Sequence, residues 1–208
     1  MTVARRIGLL GGTFDPVHVA HLHIAGCAMH DLSLDEIRFT PAGSPPHKPG
    51  VPVTPGSHRI HMLEIATAGV DGFLVDPLDL GSDQPSYTSE LLEHVHEDHP
   101  YDDLWFIIGA DSLAEFHTWH EPGRILELAR LAVATRPGWD VDVALAASPV
   151  PGLRDRVDLF SSVPVDLSAT VIRHRLRNGQ PVDWLMPKGV LTYIGAQDLY
   201  RTEAPEAP

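Results

Sequence analysis

The chain has a single cysteine, Cys27, among its 208 residues. An intrachain disulfide is therefore excluded, and Cys27, lying in a stretch that reads as the apolar face of a helix, is expected to be a buried small hydrophobe in a reducing compartment. Basic charge is scarce too: 15 Lys and Arg stand against 28 Asp and Glu, a formal net charge of −13, with a pI near 5.3. Phosphate backbones and anionic membranes need a basic stripe. Neither is expected as a partner, and any phosphate-binding site must be local. No apolar run approaches the roughly 18 residues that span a bilayer. The basic start Met1–Arg6 leads into an apolar run that Gly11, Gly12 and Asp15 soon break, too short for a signal peptide. A soluble, cytoplasmic protein is expected. Repeats and linkers are missing, and 43% hydrophobic content supplies one good core. We expect one domain over residues 1–201 and an unfolded tail over 202–208, where Ala-Pro pairs and glutamates come without an apolar anchor.

What is present is an alternation of strand and helix patterns. Ile7–Leu10 is an apolar run without polar alternation, which suits a strand buried on both faces of a parallel sheet. A glycine-rich turn follows, and then residues 17–30, where Val19, Leu22, Cys27 and Met29 together with three alanines support a helix. Glu36–Pro41 alternates like a second strand. Further strands are expected at Phe73–Val75, Leu104–Ile108, Leu131–Thr135 and within Val157–Val165. Helices are expected at Ser57–Ala68, Ser86–His96, Arg124–Arg130, Thr170–Arg177 and Gly189–Leu199. The pattern predicts an α/β fold: one Rossmann-like domain with a mostly parallel sheet flanked by helices, its ligands beyond the carboxyl ends of the strands. Gly11–Pro16, Gly43–Lys48, Gly109–Asp111 and Arg136–Gly138 fall at such ends. The stretch from Pro41 to Gly56, with six prolines and three glycines, is a long irregular loop of the kind that usually carries function.

Gly11, Gly12 and Thr13 end the first strand in a turn whose backbone N–H groups can approach a ligand closely, and His18 and His21 follow at the start of a helix. Two imidazoles at i and i+3 face the same way and can donate to phosphate oxygens, so the geometry favours an anion. A dinucleotide loop, a metal pair and ordinary surface histidines compete with this reading. The Gly-x-Gly-x-x-Gly pattern is absent, and an i, i+3 pair without a nearby carboxylate is a weak metal signal. Late in the chain, Ser168, Thr170 and Arg173 gather hydroxyls, free N–H groups and a guanidinium at one helix start, suited to an anion such as a phosphate. Taken alone, Thr170 reads as a helix cap and Arg173 as part of a solvated face.

The run Gly-Gly-Thr-Phe-Asp-Pro-x-His-x-x-His over residues 11–21 resembles the opening motif of bacterial nicotinate-nucleotide adenylyltransferases, of the HIGH-motif nucleotidyltransferase superfamily. Ser44–Lys48, Ser86–Thr88, Gly109–Leu113, Trp119, Thr135–Gly138 and Thr170–Arg173 resemble later motifs of that family, in the same order. The resemblance implies adenylyl transfer from ATP to nicotinate mononucleotide, giving nicotinate adenine dinucleotide and pyrophosphate in NAD biosynthesis. It implies His18, His21, Lys48 and Arg173 as catalytic residues. ATP would be held by Gly11, Gly12, Thr13, Phe14, His18, His21, Gly109, Asp111, Arg136, Ser168, Thr170 and Arg173. The mononucleotide would be held by Thr13, Phe14, His47, Lys48, Tyr87, Thr88, Trp119 and His120. The loop carrying His47 and Lys48 would close over the site, and the Trp119 indole would stack on the pyridine ring. Asp111 suits a ribose hydroxyl, with a cap for the following helix as the alternative. Mg²⁺ would ride on the ATP phosphates, with no metal held by the protein. The family shows two serines before the threonine of its late motif; here the second is Ala169, one hydroxyl fewer. Other transferases of the superfamily and a non-catalytic nucleotide-binding domain remain as alternatives, and a homo-oligomer is compatible with the sequence.

Overall fold

Ile7 and Leu9 are fully buried on one side of the first strand, while Leu10 is buried on the other. Gly8 lies between them because nothing larger fits: a Cβ there would come 2.6 Å from Ile37 Cδ1 and 2.8 Å from Leu34 Cδ1. In this computed structural model, which describes residues 4–43, 53–80, 86–135 and 140–201, that strand is β1 (Arg6–Gly12). It pairs in parallel with β2 (Glu36–Pro41) on one side and β4 (Asp103–Gly109) on the other. With β3 (Phe73–Val75), β5 (Arg130–Thr135) and β6 (Val157–Ser161), they form a parallel sheet in the order β3-β2-β1-β4-β5-β6. The expected α/β, Rossmann-like architecture is borne out.

Each face of the sheet carries its own core. One is covered by α1 (Val19–Asp31), α2 (Gly56–Thr67), α7 (Ala169–Arg177) and α8 (Lys188–Ala196), which bury Ala25, Met62, Ile172 and Val190 among others. The other is covered by α3 (Thr88–Asp98), α4 (Ala110–Glu115), α5 (Pro122–Leu128) and α6 (Val141–Ala147), which bury Leu92, Leu113, Ile125 and Val141.

Several boundaries differ from expectation. The helix expected at 124–130 begins at Pro122, whose fixed φ and missing N–H suit a first turn, and Arg130 belongs to β5. The short helices α4 and α6 had too few residues to show a period. The last strand stops at Ser161, ahead of Pro164. Cys27 is half-buried rather than buried, because α1 faces the sheet with its small residues Ala25 and Ala28. Burial and the nearby Asp31 carboxylate raise the Cys27 thiol pKa.

Candidate active site

The strand order reverses between β1 and β4, so the connections after these strands leave to opposite sides and open a crevice beyond their carboxyl ends. A cavity of about 430 Å³ lies there, lined by Gly11, Gly12 and Thr13 after β1, Thr40 and Ala42 at the end of β2, and Gly109 and Ser112 after β4. Both glycines sit in tight places: a Cβ on Gly11 would lie 3.0 Å from the Phe106 ring, and one on Gly12 3.0 Å from the Phe14 ring.

Beyond Thr13 the chain reverses through Phe14, which holds a left-handed φ of 48°. Its ring is fully buried, edge-on to His21 at 4.9 Å and to Phe39 at 5.9 Å between centroids. Phe14 was expected to touch both substrates. Its side chain is a packing element instead, and the residue as a whole is buried and does not line the cavity.

His18 stands at the N-cap of α1 with extended backbone, φ −146° and ψ 171°. It is 3% exposed, and its ring stacks on that of His21 with centroids 3.7 Å apart. The backbone N–H of His18 donates to His21 Nδ1 at 3.2 Å, which assigns the proton of a neutral His21 to Nε2. Burial pushes the His18 pKa down to about 4. Burial and the neighbouring His18 lower His21 as well. In the free protein both rings are therefore neutral at pH 7 and offer N–H donors in place of fixed positive charge. Among the described residues, the buried Nδ1 of His18 has no partner.

α7 brings a cation to the same turn. Arg173 Nη1 donates to the backbone carbonyl of Asp15 at 2.6 Å, and Nη2 donates to Thr170 Oγ1 at 3.3 Å. Ser168 caps α7, its Oγ accepting the N–H of Val171 at 3.3 Å, so the capping role and the expected phosphate role fall on one hydroxyl. None of His18, His21, Ser168, Thr170 or Arg173 lines the cavity itself. They cluster behind and beside the turn at its edge.

Another part of the cavity wall is formed by Tyr87 and Thr88 at the start of α3 and by Thr118, Trp119 and His120 before α5. Trp119 packs edge-on to Phe106 at 6.0 Å and tilted against Phe116 at 5.4 Å between ring centroids. His120 stacks on Tyr87 at 4.2 Å, closing this wall. Gly109 also lines the cavity. Asp111, expected at a ribose, is exposed in the first turn of α4 and does not line it; Ser112 does. A helical turn begins directly at Ala110 and rotates Asp111 outward. His47, Lys48 and Arg136 lie outside the described residues.

Four further residues organise the site. Asp15 is buried beside Arg173. Arg59, 2% exposed, donates from Nη1 to the carbonyls of Thr13 and Ala42 and from Nε to that of Thr54, at 2.8–2.9 Å. It thereby joins the glycine turn to both flanks of the proline-rich loop, and burial lowers its pKa. Asp79 lines the cavity, where burial raises its pKa against hydrogen bonds from Ser86 and the Gly43 N–H. Tyr200 donates to Asp15. Of these, only Asp15 lay in a sequence motif. The others are scattered residues whose partners become visible only in the folded chain.

Comparison with known proteins decides the family. Residues 9–175 match the model of the cytidylyltransferase-like family. A probable nicotinate-nucleotide adenylyltransferase from Thermomicrobium roseum is 42% identical over 197 residues, covering 95% of this chain and 92% of that protein. The chain belongs to the nicotinate-nucleotide adenylyltransferase family. A second such relative, from a Roseiflexus species, is 40% identical over 94% of this chain and 98% of its own length. The fold of this adenylyltransferase-family chain is also that of the Plasmodium falciparum nicotinic acid mononucleotide adenylyltransferase complexed with NaAD. The TM-score is 0.74 at 20% identity, over 94% of this chain and 97% of the other. Among the described residues, no helix of the adenylyltransferase-family chain is long and apolar enough to cross a membrane.

Proposed function

We propose that the chain transfers the adenylyl group of ATP to nicotinate mononucleotide, giving nicotinate adenine dinucleotide and pyrophosphate for NAD biosynthesis. The observation that carries this reading is one crevice lined by two unlike sets of residues. One is the Gly11–Thr13 turn, backed by two neutral imidazoles and Arg173; the other is the wall of Trp119, Tyr87 and Thr88. Phosphate groups suit the first set and an aromatic ring the second.

The chemistry asks little of the protein beyond placement. A phosphate oxygen of the mononucleotide attacks the α-phosphorus of ATP in line. The bond from that phosphorus to the bridging oxygen breaks, and pyrophosphate leaves with the electron pair. The attacking oxygen is already an anion, so neither a protein nucleophile nor a base is required. The gain comes from holding two polyanions together and from donors aimed at charge developing on the α-phosphate. His18 and His21 are proposed as those donors, Arg173 and Thr170 as ligands of the leaving phosphates, and Lys48, His47 and Arg136 as further phosphate contacts. Among the described residues no three His, Cys, Asp or Glu side chains gather into a metal-holding group. Mg²⁺ is proposed to enter on ATP as part of the substrate, offsetting phosphate charge. Residues 1–201 are proposed as one domain. The acidic chain is proposed to take no nucleic acid or membrane partner and to work in the cytoplasm, where a lone thiol stays reduced.

The test is pyrophosphate release on mixing the protein with ATP, Mg²⁺ and nicotinate mononucleotide. Turnover is expected, with a clear preference over nicotinamide mononucleotide. A preference for the amide would overturn the substrate assignment, and binding of ATP without pyrophosphate release from any mononucleotide would favour the nucleotide-binding alternative.

A further inference from the structure

Asp15 places a carboxylate at 3% exposure in the turn to which the proposed function assigns phosphate. A buried negative charge beside a polyanion site persists only when its oxygens are partnered. Oδ1 accepts the hydroxyl of Tyr200 at 2.6 Å. Oδ2 accepts the backbone N–H of Thr54 at 3.3 Å and lies 4.0 Å from Arg173 Nη1. That same Nη1 donates to the Asp15 carbonyl at 2.6 Å. One residue of the turn thus joins α7, the end of the proline-rich loop and the last turn of the described chain.

Tyr200 is held there against its own preference. Its φ is 63° and that of Asp198 is 50°, the left-handed region that a bulky non-glycine residue enters only when its surroundings over-determine it. The phenol oxygen also shares a side-chain hydrogen bond with Thr54. Burial above all, then the hydrogen bond to Asp15, raises the phenol pKa well beyond its ordinary range, so it remains a donor.

We infer that Tyr200 is a positioning residue for ATP: by holding Asp15, it fixes the Arg173 guanidinium in the orientation that meets the nucleotide phosphates. The geometry is explicit. One N–H on each terminal nitrogen of Arg173 is occupied, by the Asp15 carbonyl and by Thr170 Oγ1. The remaining N–H groups of the planar fork are then aimed by the occupied ones. If Asp15 shifts, the fork turns with it. This inference rests on the proposed function, in which Arg173 contacts ATP.

Tyr200→Phe removes one oxygen and keeps the ring. The KM for ATP is expected to rise fivefold or more while that for nicotinate mononucleotide stays within twofold, at a temperature where circular dichroism shows the variant folded. In an Arg173→Lys background the same substitution is expected to change the ATP KM by less than twofold, because the group through which Tyr200 acts is already altered. A purely structural role would lower Tm and leave both KM values in place. That result, or full additivity with Arg173→Lys, overturns the inference. Asp15→Ala removes the acceptor of the phenol and leaves the backbone carbonyl that Arg173 uses, and serves if Tyr200→Phe does not fold. It too is expected to raise the ATP KM, and an unchanged value overturns the inference. Direct titration with ATP in each variant separates the outcomes: if wild-type protein releases no pyrophosphate the proposed function fails, while the titration still reads whether Tyr200 governs ATP affinity.

Discussion

The imidazole of His18 lies face to face with that of His21, the planes 19° from parallel. Both are held neutral by burial, and stability should show it. A histidine in the unfolded chain takes up its proton near pH 6.5, whereas His18 in the fold does so only near 4. Between these values the unfolded state binds more protons, so stability falls as pH drops from about 6.5 to about 4 and levels off below. The loss attached to His18 is about 3 kcal/mol, and His21 adds to it in the same direction. Urea midpoints of the ligand-free protein at pH 7 and pH 4.5 should therefore differ, and the difference should shrink in His18→Asn. An equal pH slope in the two proteins would contradict a neutral, buried His18.

Trp119 forms part of the aromatic wall, packed on the rings of Phe106 and Phe116. Trp119→Ala should raise the KM for nicotinate mononucleotide roughly tenfold, the size of a lost aromatic stacking contact, while leaving that for ATP within twofold. Trp119→Phe should recover most of the loss. Steady-state rates with each substrate varied in turn decide it, and an equal rise in both KM values would argue that Trp119 supports the fold alone.

Arg59 satisfies three carbonyls from within the core. Arg59→Met retains much of the volume but strands those carbonyls, and should cost about 3 kcal/mol of stability, a Tm lowered by roughly 6–12 °C in a domain of this size. Thermal melts measure this. Arg59→Lys should recover little, because one ammonium on a different stem cannot reach all three acceptors.

Gly12→Ala pushes a methyl to 3.0 Å from a Phe14 ring that is itself fully buried. Either the ring or the backbone must give by a few tenths of an ångström. A destabilisation of about 1–3 kcal/mol is expected from overpacking. The rate should fall tenfold or more as the turn shifts relative to the α-phosphate. Comparable activity in the variant, measured well below its Tm, would show that the turn tolerates displacement.

How much of this could be read in advance depended on the distance over which each feature is determined. The two-faced burial of Ile7–Leu10, the glycine turn and the helix carrying both histidines are local, and they were legible. Glu36–Pro41 was read as an alternating strand, which suggests one wet face. The strand is nevertheless buried almost throughout, because Glu36 and Arg38 are consumed by ion pairs with Arg5, with each other and with Asp76. Polar letters did not mean solvent there, since their partners come from elsewhere in the chain. The outward placement of Asp111 was hidden for a related reason: one helical turn separates the end of a strand from the face that looks into the crevice, and residue type alone does not give that rotation. Arg59 and Tyr200 carried no pattern at all. Their value comes from carbonyls and a carboxylate that only the assembled fold brings within reach.

The hydrogen bond from Tyr200 to Asp15 spans 185 positions of chain, and that from Arg173 to the same residue spans 158. A ribosome adding about 5–20 residues per second needs roughly 10–40 s to cover the longer interval. During synthesis the turn must therefore wait, its carboxylate still hydrated, while β1 and β2 pair and the second half of the sheet emerges. The part of the site made first is completed last, so a ribosome that halts between residues 161 and 173 would leave a chain with every strand of the sheet made and a phosphate turn without Arg173 or Tyr200.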